Sequence, residues 1–560
     1  MFLPTTQNDM QKLGWRRCDI IIVTGDSYID SPTIGAALIG KFLLQNGFKV
    51  GIVAQPDVRS EADITRLGEP TLFWGVTGGS VDSMVANYTA MKKKRQKDDY
   101  TPGGINNRRP DRAVIVYSNL IRRYFKNTVP IVLGGIEASL RRLAHYDFWS
   151  SKIRRSILFD AKADLLVYGM GENAILEIAQ RLRRGKGFEN IPGACAIQKS
   201  PPMNYLEIPA FETVIGDKNA FVKSFRLFYE NNDPTTARGL VQKHGDRWLV
   251  QHPPAPHLTT GELDKIYNLD FELEAHPFYA SQGNIRALDT IRFSITTHRG
   301  CYGECNFCAI AVHQGRTVLS RSQDSIVAEA HRLTQHPKFT GVISDVGGPT
   351  ANMYGFECAR KMTVGACTDK RCLAFHSCQT LKPNHKAQID LLKKLRNLEG
   401  VKKVFVSSGI RYDMILNDEK YGDAYLQELV AFHVSGQLKI APEHSENHVL
   451  KLMGKPDVSA LIDFKKRFDT KSKKAGKKQF LTYYFIAAHP GSTEQDMIRL
   501  KNFVSHELKL NPEQVQVFTP TPGTWASVMY YTEMDPFTGK KIFVEKNPGK
   551  KNKQKQILTG

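Results

Sequence analysis

Over residues 1–200 apolar residues come in short runs, separated by longer stretches in which they recur every three or four positions. The run from Cys18 to Thr24 has the length of a strand. Ile34, Leu38 and Phe42 then fall at i, i+4 and i+8, one face of a helix. Ser31 is placed to cap that helix and Pro32 to sit in its first turn. Gly47 ends it, and Phe48 to Val53 reads as a second strand. Strand, helix, strand at this spacing is a βαβ unit. Ala113 to Tyr117, Ile131 to Leu133 and Leu165 to Val167 read as further strands, with helical stretches between and after them. The pattern predicts an open α/β domain with a parallel sheet over residues 1–200.

The alternation stops at Ser200, Pro201 and Pro202. Residues 201–288 follow no clear period and read as a connecting segment packed against both neighbours. Regular structure resumes near 289. Ile291 to Thr297 is β-rich, Ser325 to Leu333 is helical, and Gly341 to Val346, Val401 to Val406 and Gln437 to Glu443 are strands. No internal repeat is visible.

Composition narrows the class. At 560 residues the chain is too long for one ordinary core, so two or three domains are expected. No apolar run approaches the ~20 residues that span a bilayer, so no membrane partner is expected. The N-terminus lacks a basic-then-apolar secretory pattern. Seven of the nine cysteines lie between Cys301 and Cys378, unlike a disulfide framework spread over a secreted fold. A reducing cytoplasmic location is expected. The formal net charge is +21, which favours a polyanion such as RNA. Solubility alone is the competing explanation, and the runs at Lys92–Lys97 and Lys465–Lys478 read equally as solvated surface. Residues 531–560 form a basic tail expected to be disordered.

The chemistry concentrates in one loop. Cys301, Cys305 and Cys308 stand in C-x3-C-x2-C spacing, just after a strand and the turn residue Gly300. Soft thiolates so close together suit iron–sulfur clusters, zinc or copper(I). Structural zinc wants four ligands, and the local run supplies three. A zinc loop borrowing His313 or a distant cysteine is the alternative.

That spacing, with Phe307 before the last cysteine, resembles the radical SAM enzymes, and the stretch from Arg299 to Arg316 is similar to their YgiQ-type branch. The resemblance implies a [4Fe-4S] cluster on Cys301, Cys305 and Cys308 whose open iron is chelated by S-adenosylmethionine (SAM). It further implies that the adenine lies near Phe307 and the amino group near the turn at Gly347 and Gly348. Pro349 stands where the family has an acidic residue. Ser408 and Arg411 are placed to meet the SAM carboxylate, with a structural salt bridge the other reading of Arg411. Phe480 to Ala487 and Val515 to Thr524 resemble the family's last strands. Residues 289–530 then make a partial (β/α)6 radical SAM barrel. The implied activity is reductive cleavage of SAM to a 5′-deoxyadenosyl radical, with a reductant protein as partner. No catalytic residue beyond these is legible, and neither is the substrate; RNA modification follows from charge alone. A non-catalytic, metal-stabilised RNA-binding protein is the alternative.

The N-terminal domain resembles the cobalamin-binding domain that precedes many radical SAM barrels, with Gly134, Gly135 and Gly169 to Asn173 in later loops. Its first loop carries Asp26 and Asp30 but no axial histidine, so cobalamin is not expected. Finally, Cys358, Cys367, Cys372 and Cys378 fall within 21 residues. A second iron–sulfur cluster, a structural zinc and simple packing are the open readings.

Overall fold

A computed structural model describes residues 1–512 and 515–560 of the chain. It divides into two compact units, Met1–His257 with Lys265–Arg292, and Leu258–Asp264 with Phe293–Gly560.

In the first unit β1 (Ile20–Thr24), β2 (Val50–Ala54), β3 (Phe73–Thr77), β4 (Ile131–Gly134) and β5 (Leu165–Val167) run parallel in the order 2-1-3-4-5. β1 and β2 are fully buried and apolar but for Thr24 at the end of β1, as suits strands covered on both faces. Four more strands, β6 (Ala194–Gln198), β7 (Leu206–Ile208), β8 (Leu240–His244) and β9 (Arg247–Gln251), extend the sheet past β5 in the order 6-9-8-7. β6 pairs antiparallel with both β5 and β9. Much of the stretch 201–288 is therefore not a connector. Its β-hairpin from Leu240 to Gln251 was hidden because Gln242, His244 and Gln251 are buried polar residues that break the apolar pattern.

Two local expectations fail here for identifiable reasons. Ala113 to Tyr117 is not a strand but the first half of a helix, Ala113–Tyr124. Its β-branched residues suggest a strand, yet Val114, Tyr117 and Ile121 are buried at helical spacing, and packing overrides propensity. The helix holding Leu38 and Phe42 spans Gly35–Gln45, with Ile34 at its cap position. Ser31 lies too early to cap it, and its hydroxyl sits 2.9 Å from that of Thr33 instead.

The second unit holds β10 (Ser294–Thr296), β11 (Asp345–Gly347), β12 (Lys403–Val404), β13 (Gln437–Glu443), β14 (Phe480–Ala487) and β15 (Val515–Val517). Pairing runs in chain order and is parallel at every step. β10 pairs with β11, β13 with β14, and β14 with β15. β11 meets β12 through Val346 N–H to Phe405 O at 3.0 Å, and Ile410 bridges to Ile440 beside β13. Helices such as Gln323–Thr334, Lys386–Arg396, Val458–Lys474 and Glu494–Phe503 separate the strands. This is the open six-stranded barrel. Ile291 closes a helical turn, Leu288–Ile291, and the first barrel strand begins only at Ser294.

The basic tail is not disordered. Asn547 caps a helix, Pro548–Thr559, whose Lys551, Gln554 and Leu558 are buried. Lys551 donates to the Tyr530 hydroxyl at 2.8 Å, and Gln554 accepts from Ala488 N–H at 3.0 Å. Charge in the sequence concealed this buried stripe. Among the described residues, no helix is long and apolar enough to cross a membrane.

Candidate metal centre

The chain leaves β10 at its C-terminal end, where barrel folds place their chemistry, and enters the cysteine loop. Gly300 turns it with φ of +83°, and a side chain there would strike the Thr317 carbonyl. Glu304 also takes a positive φ, 45°. The loop is held in this shape from outside. Asn306 donates its N–H to Met453 O at 2.8 Å and its side-chain amide to Leu452 O at 2.7 Å, and accepts from Ala526 N–H at 2.8 Å. Buried Glu304 pairs with Arg316.

Gly303 makes room between two sulfurs. A Cβ there would lie 3.1 Å from Cys301 Sγ, 3.7 Å from Cys305 Sγ and 3.3 Å from Arg411 Nη1. Cys301 Sγ accepts from Gly303 N–H at 3.3 Å and lies 3.7 Å from the Thr350 hydroxyl. Cys305 Sγ accepts from Arg411 Nη1 at 3.6 Å. Burial, and then the other cysteines, push the Cys308 thiol up to about 12. A coordinated metal reverses this, because it deprotonates its thiol ligands outright.

Arg411 is tied down on all sides. Its Nε and Nη2 donate to Asp413 at 2.8 and 2.7 Å, both residues being buried. Burial favours neutral forms, yet the pair holds the Arg411 pKa above its ordinary value and that of Asp413 below its own. The Arg411 backbone is gripped by Asn352, which accepts from its N–H at 2.8 Å and donates to its carbonyl at 3.0 Å. Behind Asn352 stands His385, whose Nδ1 lies 2.7 Å from Asp418 Oδ2. Ser408 donates its hydroxyl to Asp345. The two residues expected to meet a ligand carboxylate are thus each engaged by a carboxylate of the chain itself.

Gly347 and Gly348 end β11 under steric necessity. A Cβ on Gly347 would lie 2.8 Å from Ser408 Oγ, and one on Gly348 2.7 Å from the His298 ring. Phe307 is half-buried, edge-on to His489 with ring centroids 6.1 Å apart.

Two polar residues at the same strand ends escaped the sequence reading. Glu443 ends β13 at φ of 70°, and burial raises its pKa to about 7. Lys455 Nζ is 3.8 Å away, and Glu443 Oε2 has no hydrogen-bond partner among the described residues. His489 follows β14; its Nδ1 lies 2.8 Å from Pro490 O, and its buried Nε2 likewise has no partner there. Their signal in the sequence is a polar side chain immediately after an apolar strand.

The donor set discriminates between metals. With Zn–S of about 2.3 Å, tetrahedral zinc holds its sulfurs about 3.8 Å apart. Among the described residues, the one set of three or more ligating side chains with atoms within 4.8 Å of each other is Glu446, His448 and Asp496, whose two carboxylates both pair with Arg499. Neither cysteine group surrounds a single ion. Three thiols not closed around one ion, two of them with N–H donors aimed at their sulfurs, fit a multi-iron cluster. Of the other four cysteines, Cys358, Cys372 and Cys378 meet in one apolar cluster. Cys367 does not pack there, and its carbonyl accepts from Arg316 at 2.8 Å.

The family described as Radical SAM N-terminal matches residues 2–294, and the Radical SAM superfamily matches residues 295–504. A UPF0313 protein of Fusobacterium nucleatum is 57% identical over 559 residues, covering 100% of this chain and 98% of its own. The chain belongs to the UPF0313 family of radical SAM enzymes. UPF0313 proteins of Thermotoga maritima and Methanocella arvoryzae are 51% and 47% identical, each over 99% of this chain and over 98% and 92% of their own. The solved radical SAM methyltransferase TsrM from Kitasatospora setae, with cobalamin and a [4Fe-4S] cluster bound, superposes with a TM-score of 0.50 at 13% identity. That match covers 92% of this chain and 78% of TsrM. The cobalamin-dependent SAM radical enzyme OxsB, with aqua-cobalamin bound, gives 0.50 at 13% identity, over 94% of this chain and 57% of OxsB. These likenesses establish the fold, a cobalamin-binding-like sheet followed by a radical SAM barrel.

At the switch point between β1 and β3 of this UPF0313 chain, residues of the segment 98–109 pack against the strand-end loops. Buried Arg109 reaches Asp26 at 2.8 Å, Asp98 at 3.1 Å and Gly78 O at 2.8 Å. Gln55 spans from Gly25 O at 2.9 Å to the Thr101 hydroxyl at 2.7 Å.

Proposed function

We propose that this UPF0313 protein binds a [4Fe-4S] cluster through Cys301, Cys305 and Cys308 and cleaves SAM reductively. The observation that carries the reading is that Cys301 and Cys305 flank the space left by Gly303, with a backbone and a guanidinium donor aimed at their sulfurs, and that Cys308 completes the C-x3-C-x2-C loop. When bound, the cluster supplies the electron that breaks a sulfur–carbon bond of SAM, giving a 5′-deoxyadenosyl radical that takes hydrogen from a substrate. The chain does the rest by position and exclusion of water. Gly347 and Gly348 offer bare backbone to the amino-acid end of SAM. Phe307 offers an aromatic edge for the adenine. Ser408 and Arg411 reach the SAM carboxylate only by giving up Asp345 and Asp413. A reductant protein and a reducing, cytoplasmic setting belong to the same reading.

Anaerobic, iron-loaded protein should show an EPR signal that changes on adding SAM, and should release 5′-deoxyadenosine slowly with dithionite. Changing any one of Cys301, Cys305 or Cys308 to alanine should abolish both. A fully loaded protein whose signal ignores SAM would refute the reading.

RNA is the substrate class to test first, on the strength of the +21 charge. Part of that charge is answered within the chain: Lys465, Arg467 and Lys471 pair with Asp469, Asp463 and Asp423, and Lys546 with Glu533. Family membership favours an enzyme over a non-catalytic RNA binder. We also infer that the first unit takes no cobalamin, supported by the Arg109 network at its switch point; TsrM and OxsB, which carry cobalamin, make this worth testing. Stoichiometric uptake of hydroxocobalamin in equilibrium dialysis would overturn it.

A further inference from the structure

The cysteines outside the first loop demand their own account. Cys358, Cys372 and Cys378 come from separate points of a long segment yet meet in one apolar cluster with Tyr302, Phe356 and Met414. Cys301 packs against the same cluster. The chain turns back on itself to bring them there. Cys378 N–H donates to Cys372 O at 2.9 Å, and Leu373 bridges to Ser377.

Buried beside them is a cation. Lys361 is 3% exposed. Its ammonium donates to the Arg316 carbonyl and lies 5.2 Å from the centroid of the Tyr302 ring, which belongs to the same cluster as the three cysteines. Among the described residues no carboxylate pairs with it. A buried ammonium without an anion is costly, and nearby thiols or a disulfide would leave it so. Thiolates bound to iron supply the missing negative charge. Among the described residues the three sulfurs do not all lie within 4.8 Å of one another, so they do not close around a single zinc ion.

We propose that Cys358, Cys372 and Cys378 hold a second iron–sulfur centre, alongside Tyr302 and next to the Cys301 side of the first. Cys367 is not a ligand; it packs outside the cluster, with its carbonyl held by Arg316. The assignment is independent of SAM cleavage and can stand or fall without it.

The test is metal content. Anaerobically purified wild-type protein should hold iron and acid-labile sulfide close to twice that of one four-iron cluster, about eight of each per chain. The triple variant C301A/C305A/C308A should keep roughly half, with a visible absorption band that SAM does not alter. The converse variant C358S/C372S/C378S should also keep roughly half, with an EPR signal that SAM still perturbs. Cys367→Ser should leave the content unchanged. About four irons in the wild type would overturn the proposal whether or not either triple variant folds. So would a folded first variant that holds no sulfide, or that holds zinc in place of iron. Failure of the wild type to cleave SAM would sink the proposed function and leave this iron count as it stands.

Discussion

Arg411 joins a buried carboxylate to a cysteine sulfur. The charge-assisted bond to Cys305 favours the more negative, reduced state of a cluster bound there. Removing it should make reduction harder. For Arg411→Met with Asp413→Asn, the midpoint potential should fall by on the order of 60 mV, tenfold in a one-electron equilibrium. An EPR-monitored redox titration reads this, and an unchanged potential would mean that the guanidinium does not act on the cluster. Arg411→Met alone should destabilise the protein by about 3–5 kcal/mol, because it strands Asp413 in the interior. The Arg411 side chain was visible in the sequence but its partner was not. Asp413 lies two residues away, and nothing in spacing says that the two form a closed fork. Glu443 and His489 were missed for a similar reason. What marks them is an unmatched polar atom in a buried place, a property of packing.

At the scale of elements, the N-terminal unit holds three imidazoles in the neutral form. Burial above all pushes His145, His244 and His252 each down to about 4, from an ordinary value of 6.5. The unfolded chain therefore takes up protons at a pH where the folded one does not. The stabilisation is complete above about pH 6.5 and is lost as pH falls toward 4. Urea midpoints followed by tryptophan fluorescence should drop steadily between pH 7 and 4.5. A flat profile over that window would show that these rings are not buried neutral. A second element gives a second expectation. Removing residues after Asn547 deletes the helix that covers Tyr530 and fully buries Leu558. Burying one leucine is worth about 1.5–3 kcal/mol, so the truncated protein should melt at a visibly lower temperature by calorimetry. Unchanged melting would return the tail to the status of a solvated appendage.

For the whole molecule the decisive quantity is net charge. If +21 serves a polyanion, binding to bulk RNA should weaken steeply with salt as counterions are released. Neutralising Lys92, Lys93, Lys94 and Arg95 together should flatten the slope of log affinity against log salt. Absence of binding at low salt in a filter assay would leave solubility as the reason for the charge. The same scale governs the family assignment. The family match changes from one domain to the next between residues 294 and 295, close to where the chain divides into its two units at Arg292 and Phe293.

The sequence by itself determined what depends on neighbours along the chain. Strand-length apolar runs set β1, β2, β4 and β5, because a strand covered on both faces is largely apolar. Three cysteines within eight residues marked a candidate metal loop, because local spacing alone puts them on one short stretch of chain. Tertiary structure decided whatever depends on partners far away in sequence. The helix at Ala113–Tyr124 exists because its buried face finds a partner; the hairpin from Leu240 to Gln251 because a sheet edge was there to receive it. Arg411 turns to the Cys305 sulfur because Asp413 orients it, and Lys361 sits over Tyr302 because the fold buries both. A sequence shows which side chains carry charge or sulfur, but the cost of burying them, and so what must balance them, is set only when the interior closes around them.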